Sequence, residues 1–519
     1  MGQDAGHRIE ELGCLNQLRG ELKLENLEHV RDKEEARRAN LGEKTKIYKL
    51  GFYWCREERE GNHENDEGLL EGLEPHRYLK SLTIDGFGGK KFPSWMLTSL
   101  DAWDGILLFG NLIEIVFKGC RKCEVLPTLG LLPRLRDLRI QDMDGVRRIG
   151  TEFYSNYSNG SDGTTLFPAL RRLNLTRMRN LAEWTDVMEP ATTTGLMVFP
   201  CLEWLYIREC GQLTSAPCHF PSLKDLYISD MRSTTFEIII SKLTTLTSLW
   251  VGGISELACL PEKLLQNNAS LMSLEILGSD DLESIVSHED VWAFCTSLRS
   301  LDIGWCPKLQ IQGVPSHLQR LQIFWCANLP TGLQSCTSLT LLKIQRCPDL
   351  NSIPNLGQLH SLTQLDIWYC DNLISIPDLR GLHSLIQLKI LYCPKLTSFP
   401  EGLESLTRLK TLEIGGYCEE LDDFPSLVSI EHLHASLQHL KLTGWPKLKS
   451  IRDNIQGLTA LKSLRIFGFD GMETLPEWLT KLSSLQTLRI NGCSKLKESC
   501  AIGGKERYKI AHIPEIIVR

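Results

Sequence analysis

The sequence from Ser338 to Pro400 reads SLTLLKIQRCPDLNSIPNLGQLHSLTQLDIWYCDNLISIPDLRGLHSLIQLKILYCPKLTSFP. It contains the same pattern three times: a leucine, then leucine and isoleucine separated by one polar residue, then a cysteine, and finally a second apolar step that ends on proline. Leu339, Leu362 and Leu385 open the three copies, so the pattern repeats every 23 residues. Similar patterns occur along almost the whole chain, which indicates a molecule built from stacked copies of one short unit.

The apolar spacing predicts how one repeat folds. Leu365 and Ile367 alternate with polar or aromatic residues, so a short strand turns its apolar side chains to one side and the others to the opposite side. Cys370 then stands at a turn, and Ile376-Pro377 supplies the other wall of the core, where proline prevents a regular helix. The predicted fold is an α/β repeat: a leucine-rich-repeat solenoid, shaped as a horseshoe or arc, with a parallel β-sheet on the concave face and irregular, short-helical or 3-10 convex segments.

The spacing of the repeats also predicts the domain organisation. About nineteen repeats occupy residues 1–499, and residues 500–519, which leave the pattern, form a C-terminal capping tail. Residues 1–290 are irregular, with long outer loops at 55–76, 150–167 and 182–199, whereas residues 291–499 form regular repeats of 20–28 residues. Such loops are candidate contact elements, although variable surface decoration is their commoner role. Because the first leucines resemble the end of a preceding repeat, we expect the chain to be an incomplete product of a longer protein.

Composition argues against several classes of function. The net charge is −7 and the pI is about 6.1, which disfavours a broad nucleic-acid-binding surface. No apolar run approaches the roughly 18 residues that a membrane span needs, and the first residues carry no apolar signal sequence. We therefore predict a cytoplasmic protein with no membrane span and no nucleic-acid partner.

The chain has 18 cysteines, an even number that would allow all of them to pair, but their placement does not suggest disulfides. Seven of them occupy the same position of the repeat, where they would stack in register rather than pair: Cys210, Cys306, Cys326, Cys347, Cys370, Cys393 and Cys493. We predict buried free thiols of a reducing compartment. Cys120-Arg121-Lys122-Cys123 resembles half of a zinc site, but Cys120 occupies the turn position and no second ligand pair has a suitable spacing, so no metal is predicted.

Several stretches go beyond a general repeat and resemble one family. They are residues 15–41 (LNQLRGELKLENLEHVRDKEEARRANL), 69–96, 120–140, 146–154 (VRRIGTEFY) and 509–514 (KIAHIP). These stretches resemble the leucine-rich-repeat region of plant intracellular nucleotide-binding leucine-rich-repeat disease-resistance proteins, of the coiled-coil type. The resemblance implies a recognition module of innate immunity that senses a pathogen effector or a modified host protein and keeps a nucleotide-binding switch inactive until then.

The nucleotide-binding part of such receptors is not found in this sequence. A phosphate loop needs Gly-x-x-x-x-Gly-Lys-Ser/Thr, whereas Gly504-Lys505 lacks the earlier glycine and precedes Glu506. We therefore predict a chain that lacks the switch and binds no cofactor. His360 and His383 stand at equivalent repeat positions, which indicates scaffold rather than a catalytic pair, and no nucleophile or acid–base group is evident. The chain is predicted not to be an enzyme.

Aromatic residues at outward strand positions, and just after the strands, define the candidate site. Large aromatic side chains on a rigid concave face are typical anchors of a protein interface, and polar neighbours orient the partner. The predicted partner-binding residues are Trp305, Arg320, Phe324, Trp325, Gln364, Asp366, Trp368, Tyr369, Lys389 and Tyr392. For the four that follow strands (Trp305, Trp325, Tyr369 and Tyr392), the sequence leaves open that they turn inward and fill the core. The predicted partner is a protein ligand, either an effector or a host protein, or the nucleotide-binding domain of a parent receptor.

Two other classes of repeat protein are alternatives. The substrate-recognition domain of a ubiquitin-ligase-type adaptor also uses cysteine-containing repeats, but its long helical return segment is missing from the Cys393–Pro400 pattern. An extracellular receptor ectodomain would favour asparagine at the turn and paired capping cysteines, and the repeats show neither. The leading prediction is therefore non-catalytic protein recognition in plant defence.

Overall fold

The chain folds into two compact units, each built from stacked repeats. A computed structural model describes residues 8–55, 64–96, 109–155, 165–187, 196–426, 428–451 and 455–519. Unit 1 comprises Met1–Leu257 with Lys263–Leu271, and unit 2 comprises Ala258–Glu262 with Met272–Arg519. Within each unit the repeats contribute one strand after another to a parallel sheet. The predicted leucine-rich-repeat fold is confirmed.

Unit 1 contains a main parallel sheet and two short ladders. Its strands in chain order are β1 (Gly20–Leu24), β2 (Ile47–Tyr53), β3 (Ser81–Asp85), β4 (Glu114–Lys118), β5 (Asp137–Gln141), β6 (Arg148–Ile149), β7 (Thr165–Leu166), β8 (Arg172–Thr176), β9 (Glu183–Trp184), β10 (Met197–Val198), β11 (Trp204–Arg208), β12 (Asp225–Arg232) and β13 (Ser248–Ser255). The main sheet has the order β1-β2-β3-β4-β5-β8-β11-β12-β13, while β6 pairs with β9 and β7 pairs with β10.

Unit 2 contains a parallel sheet whose strands follow chain order. They are β14 (Ser273–Leu277), β15 (Ser300–Cys306), β16 (Arg320–Cys326), β17 (Leu341–Gln345), β18 (Gln364–Trp368), β19 (Gln387–Leu391), β20 (Thr411–Gly415), β21 (His439–Thr443), β22 (Ser463–Phe467), β23 (Thr487–Asn491) and β24 (Glu515–Val518). The register is regular, so equivalent residues of successive repeats lie opposite each other. This regularity aligns the outward side chains in columns.

Short helices and 3-10 turns lie between the strands, as the repeat pattern predicts. The α-helices are α1 (Lys33–Arg37), α2 (Glu64–Gly72), α3 (Thr151–Tyr154), α4 (Ser233–Ile240), α5 (Glu262–Asn267) and α6 (Leu496–Ser499). The 3-10 segments are Ile9–Cys14, Leu27–His29, Leu41–Glu43, Ser94–Met96, Glu289–Phe294, Leu333–Ser335, Leu403–Ser405, Val428–Leu433, Glu477–Lys481 and Arg507–Lys509.

The inward leucine and isoleucine of each repeat form the core. Leu365 and Ile367 of β18 are fully buried, and so are their register partners Leu388 and Ile390 of β19. Burial of apolar surface is worth about 25 cal/mol per Å². Since each repeat covers the apolar face of its neighbour, stability comes from stacking rather than from any single repeat.

The seven cysteines at the repeat turn are buried and free, as predicted. Each Sγ lies 3.3–3.6 Å from the carbonyl oxygen two residues earlier, so the thiol donates to the end of its own strand. Burial raises the pKa of Cys306 to about 11 and that of Cys326 to about 12, and the neighbouring thiol of Cys306 contributes to the second shift. The Cys306 and Cys326 thiols therefore stay protonated donors, whereas a hydrogen bond with Cys370 lowers the pKa of Cys393.

Parts of the three predicted outer loops (56–63, 156–164 and 188–195) lie outside the described residues. In the described remainder, α2 falls in the first loop and α3 in the second. Phe153 and Tyr154 of α3 are buried, and the Tyr154 hydroxyl accepts a 2.8 Å hydrogen bond from Nε1 of the buried Trp184. Aromatic packing thus anchors the start of the second loop to unit 1.

The C-terminal residues add a strand to unit 2. β24 pairs in parallel with β23, so it covers that strand's edge. Lys509 is buried, and its Nζ lies 2.8 Å from carboxylate oxygens of both Glu506 and Glu477 and donates to the Leu475 carbonyl at 2.8 Å. Burial opposes this charge, but hydrogen bonds to Glu477 and Glu506 outweigh it and raise the pKa of Lys509 to about 12.

Candidate functional site

In many repeats the residue directly before the turn position, at or just past the end of the strand, has an unusual backbone conformation. Just before the turn cysteine, Trp305, Trp325, Tyr369 and Tyr392 have φ between 52° and 55°. In other repeats glycine fills this position, as at Gly119 and Gly492, or a charged residue does, as at Arg177. The amide of the residue still continues the ladder, since Tyr369 N–H donates to the Leu391 carbonyl at 3.0 Å. A bulky residue is rare at such a φ, because its Cβ crowds the backbone.

Three of these four strand-end aromatic residues face solvent and do not fill the core. Trp305 is 51% exposed, and Trp325 and Tyr369 are each 41% exposed. Tyr392 is half-buried, as are Phe324 and Trp368 at the last outward positions of β16 and β18. The alternative of an inward orientation is therefore wrong for Trp305, Trp325 and Tyr369. We call these six residues the aromatic ridge.

Ring contacts and one arginine join five of the six residues of the aromatic ridge into two groups. The Trp305 and Phe324 rings meet edge to face at 4.7 Å, and the Tyr369 and Tyr392 rings stack at 4.7 Å. The Arg346 guanidinium lies 5.8 Å from the Trp325 ring centroid and 5.3 Å from that of Tyr369, a cation–π arrangement on both sides. Arg346 is absent from the sequence-based prediction, although it precedes Cys347 at the same strand-end position.

The polar residues of the candidate site differ in accessibility. Asp366 lies at an outward position but is only 3% exposed, because Gln364 and Gln387 donate to its two carboxylate oxygens at 2.7 and 3.0 Å. It therefore positions these amides and offers no free carboxylate to a partner. Lys389 pairs with Glu413 at 3.0 Å and lies 5.5 Å from the Trp368 ring, whereas Arg320 is exposed at the start of β16.

Unit 1 carries a separate aromatic stack on its sheet. Tyr206, Tyr227 and Trp250 are register partners on β11, β12 and β13, and their rings stack at 4.1 and 3.9 Å. Trp204 extends the stack, with its ring 5.4 Å from that of Tyr206.

Trp204 also borders a cavity of about 850 Å³. Four arginines and three carboxylates line this cavity, and one of the carboxylates, Asp137, pairs with Arg139 and Arg172. The charges largely compensate each other, so the cavity has no strong preference for an anion.

The Cys120–Cys123 pair has no metal-site geometry. Both thiols are buried; Cys123 Sγ donates to the Gly89 carbonyl at 3.2 Å, and Cys120 Sγ lies 3.7 Å from the Ile84 carbonyl. Across the described ranges, no three His, Cys, Asp or Glu side chains converge in a way that could hold a metal ion. In the same part of the chain, no helix has both the length and the apolar character needed to cross a membrane.

The fold and the stacked turn cysteines define a leucine-rich-repeat protein. Residues 9–143 match the family described as R13L1/DRL21 LRRs. The chain is 30% identical over 331 residues to putative disease resistance RPP13-like protein 1 of Arabidopsis thaliana, which covers 60% of this chain and 30% of that protein. It is 31% identical over 276 residues to putative disease resistance protein RGA1 of Solanum bulbocastanum, and the match covers 53% of this chain and 25% of that protein. The predicted resemblance to the repeat region of plant disease-resistance proteins is confirmed, and the chain spans less than a third of these relatives.

Solved structures support the fold alone. The chain aligns with the structure of a TLR13–ssRNA13 complex at a TM-score of 0.55 and 16% identity, over 92% of this chain and 65% of that one. It aligns with the Drosophila Toll–Spatzle complex at a TM-score of 0.52 and 14% identity, over 92% and 64%. Both likenesses concern the architecture of the repeats.

Proposed function

We propose that this chain is a non-catalytic protein-recognition module of a plant immune receptor, acting in the cytoplasm. In this proposal it senses a pathogen effector or a modified host protein through the sheet face of unit 2. A nucleotide-binding domain of a parent receptor is a further partner of the same module. The disease-resistance relatives favour this function over the ubiquitin-ligase alternative.

One observation carries the proposal: the left-handed position before the turn, which glycine or a charged residue fills in other repeats, holds aromatic side chains in these four repeats, and three of the four rings are exposed. A non-glycine residue in this conformation costs about 1–2 kcal/mol. Trp325 and Tyr369 leave much of their apolar surface in water, so core packing does not offset that cost. Large apolar side chains exposed on a regular sheet are typical of binding surfaces, and Trp and Tyr are among the commonest interface anchors.

The proposal is tested with the variant Trp325→Gly/Tyr369→Gly. The double variant and the wild-type chain are used as baits against libraries of pathogen effectors and host proteins. We expect preys whose affinity falls by about 2 kcal/mol or more in the variant, while the melting temperature stays unchanged or rises. The matched control is Phe294→Ala, which removes an exposed aromatic ring from a 3-10 segment between strands. The proposal would be contradicted if every prey bound the double variant and the Phe294→Ala control with the same affinity.

A further inference from the structure

Three basic side chains stand side by side on the sheet face of unit 2. Lys441, Arg465 and Arg489 occupy the same outward position of β21, β22 and β23 and are register partners. Neighbouring strands lie about 4.8 Å apart, and like charges directly opposite each other on a sheet are destabilising. This basic cluster is thus a local excess of positive charge in a chain whose net charge is −7.

Nearby carboxylates neutralise the basic cluster only in part. Glu413 is shared between two lysines, at 3.0 Å from Lys389 Nζ and 3.9 Å from Lys441 Nζ, and Glu515 lies 3.7 Å from Arg489 Nη2. Arg465 is exposed, and no carboxylate of the described residues pairs with it. The Nε of Arg489 is buried yet meets no hydrogen-bond acceptor within the described ranges. The fold therefore leaves donors and charge that an anionic group would satisfy.

Aromatic rings flank the basic cluster. Lys441 Nζ lies 5.9 Å from the ring centroids of both Tyr392 and Phe467, and Phe467 is exposed. Burial lowers the pKa of Lys441, with Glu413 opposing the shift and the charges of Arg465 and Lys389 adding to it. An arriving carboxylate would meet incompletely neutralised cations beside apolar ring surface. The cluster also adjoins the aromatic ridge, because Lys441 lies beside Tyr392.

We propose that the basic cluster binds an acidic segment of a protein partner, with carboxylates on Arg465 and Arg489 and an apolar side chain against Phe467. Arginine matches a carboxylate with two parallel hydrogen bonds. An extended segment places alternate side chains about 7 Å apart, so two acidic residues at alternate positions reach neighbouring cations. Nucleic acid is disfavoured, because the basic column that a polyanion would follow is only three residues long: Glu413 precedes it on β20, and Ile517 follows it on β24, where Glu515 also lies 3.7 Å from Arg489. This inference rests on the proposed function, since it assigns the partner to the same face.

The experiment measures binding of labelled peptides by fluorescence anisotropy at low and at physiological salt. The probes are an alternating Asp-Phe-Asp-Ser peptide, its Lys-Phe-Lys-Ser counterpart and an oligodeoxynucleotide of the same charge as the acidic peptide. The proteins are the wild-type chain, Arg465→Glu, the milder Arg465→Gln, and the control Lys481→Glu, which reverses an exposed charge at the end of a 3-10 segment. Circular dichroism melting verifies that each variant is folded.

We expect the wild-type chain to bind the acidic peptide, Arg465→Glu to weaken that binding at least tenfold, and Arg465→Gln to weaken it less. Lys481→Glu should bind as the wild type does, and Arg465→Glu should gain affinity for the Lys peptide. The inference is overturned if no acidic peptide binds, if both charge reversals have the same effect, or if the oligodeoxynucleotide binds more tightly than the peptide. If Trp325→Gly/Tyr369→Gly loses its preys while Arg465→Glu has no effect, the proposed function stands and this inference fails.

Discussion

At the scale of single residues, the exposure of the aromatic side chains supports the candidate site better than any motif does. The repeat spacing locates the strands, but it does not fix φ of the residue that follows each of them. For that reason the sequence left open whether Trp305, Trp325 and Tyr369 fill the core, and only their φ of 52–54° and their exposure decide the question. Asp366 is the opposite case: its outward strand position predicted an accessible carboxylate, but Gln364 and Gln387 hydrogen-bond to both of its oxygens and cover it.

Asp302 offers a residue-scale prediction about pH. One of its oxygens accepts a 2.8 Å hydrogen bond from Gln322, while Oδ1 is buried without a partner among the described residues. Burial raises the pKa of Asp302 above its ordinary value of 3.8, so the folded state binds the proton more tightly than the unfolded state does. The free energy of unfolding contributed by this group therefore falls as the pH rises from below 3.8 through the raised pKa.

Asp302→Asn removes that penalty and keeps an oxygen for Gln322. We expect the variant to be more stable than the wild type at pH 7, with an advantage that shrinks as the pH falls toward 3.8. Urea unfolding at a series of pH values measures the difference. Asp371→Asn, at an exposed carboxylate, is the matched control and should show no such trend. A pH-independent difference for Asp302→Asn would refute burial of the charge as the cause.

At the scale of elements, the sequence predicts the strands and their register well and the contacts between their outward side chains poorly. The leucine–isoleucine spacing gave the positions of β17, β18 and β19, because burial of these two side chains fixes each strand. The repeat position also indicates that Arg346 stands between Trp325 and Tyr369, because all three directly precede the turn cysteine. It does not give the side-chain direction that brings the guanidinium close to both rings, because several conformations of a long exposed side chain fit the same backbone position.

Gly304 on β15 tests a cross-strand contact of the aromatic ridge. It is the register partner of Phe324, and a Cβ at Gly304 would collide with the Phe324 ring. We expect Gly304→Ala to destabilise unit 2 by about 1–3 kcal/mol, because the ring must leave its place over the strand. In a Phe324→Ala background the same substitution should cost nothing or should stabilise, because alanine has less backbone entropy to lose.

The matched control for this cycle is Gly457→Ala, where an added Cβ would meet no atom within 4 Å. Urea unfolding of the single and double variants gives the coupling energy between positions 304 and 324. A coupling near zero would show that Phe324 does not lie over Gly304 in solution. The edge-to-face contact between Trp305 and Phe324 would then not be fixed in solution.

At the scale of the whole molecule, stability is a sum of contacts between neighbouring repeats, so each end matters locally. The repeat pattern stops before the tail, and sequence alone indicated only that the tail covers the last repeat. The structure adds the means: β24 pairs with β23, and the buried Lys509 bonds to Glu506 and to the Leu475 carbonyl. Glu506 in turn accepts the Leu475 N–H at 2.7 Å.

Lys509→Met should therefore destabilise the C-terminal end of unit 2 by about 3–5 kcal/mol, because it leaves the Glu506 carboxylate buried without a counter-charge. Hydrogen exchange should show lost protection in β23 and β24 and unchanged protection in β14, β15 and β16. Lys497→Met removes an exposed lysine from α6 and serves as control, while adding Glu506→Gln to Lys509→Met should restore part of the protection. If protection fell equally from β14 to β24, unit 2 would unfold as one cooperative block. Its stability would then not be a sum of local contacts between adjacent repeats.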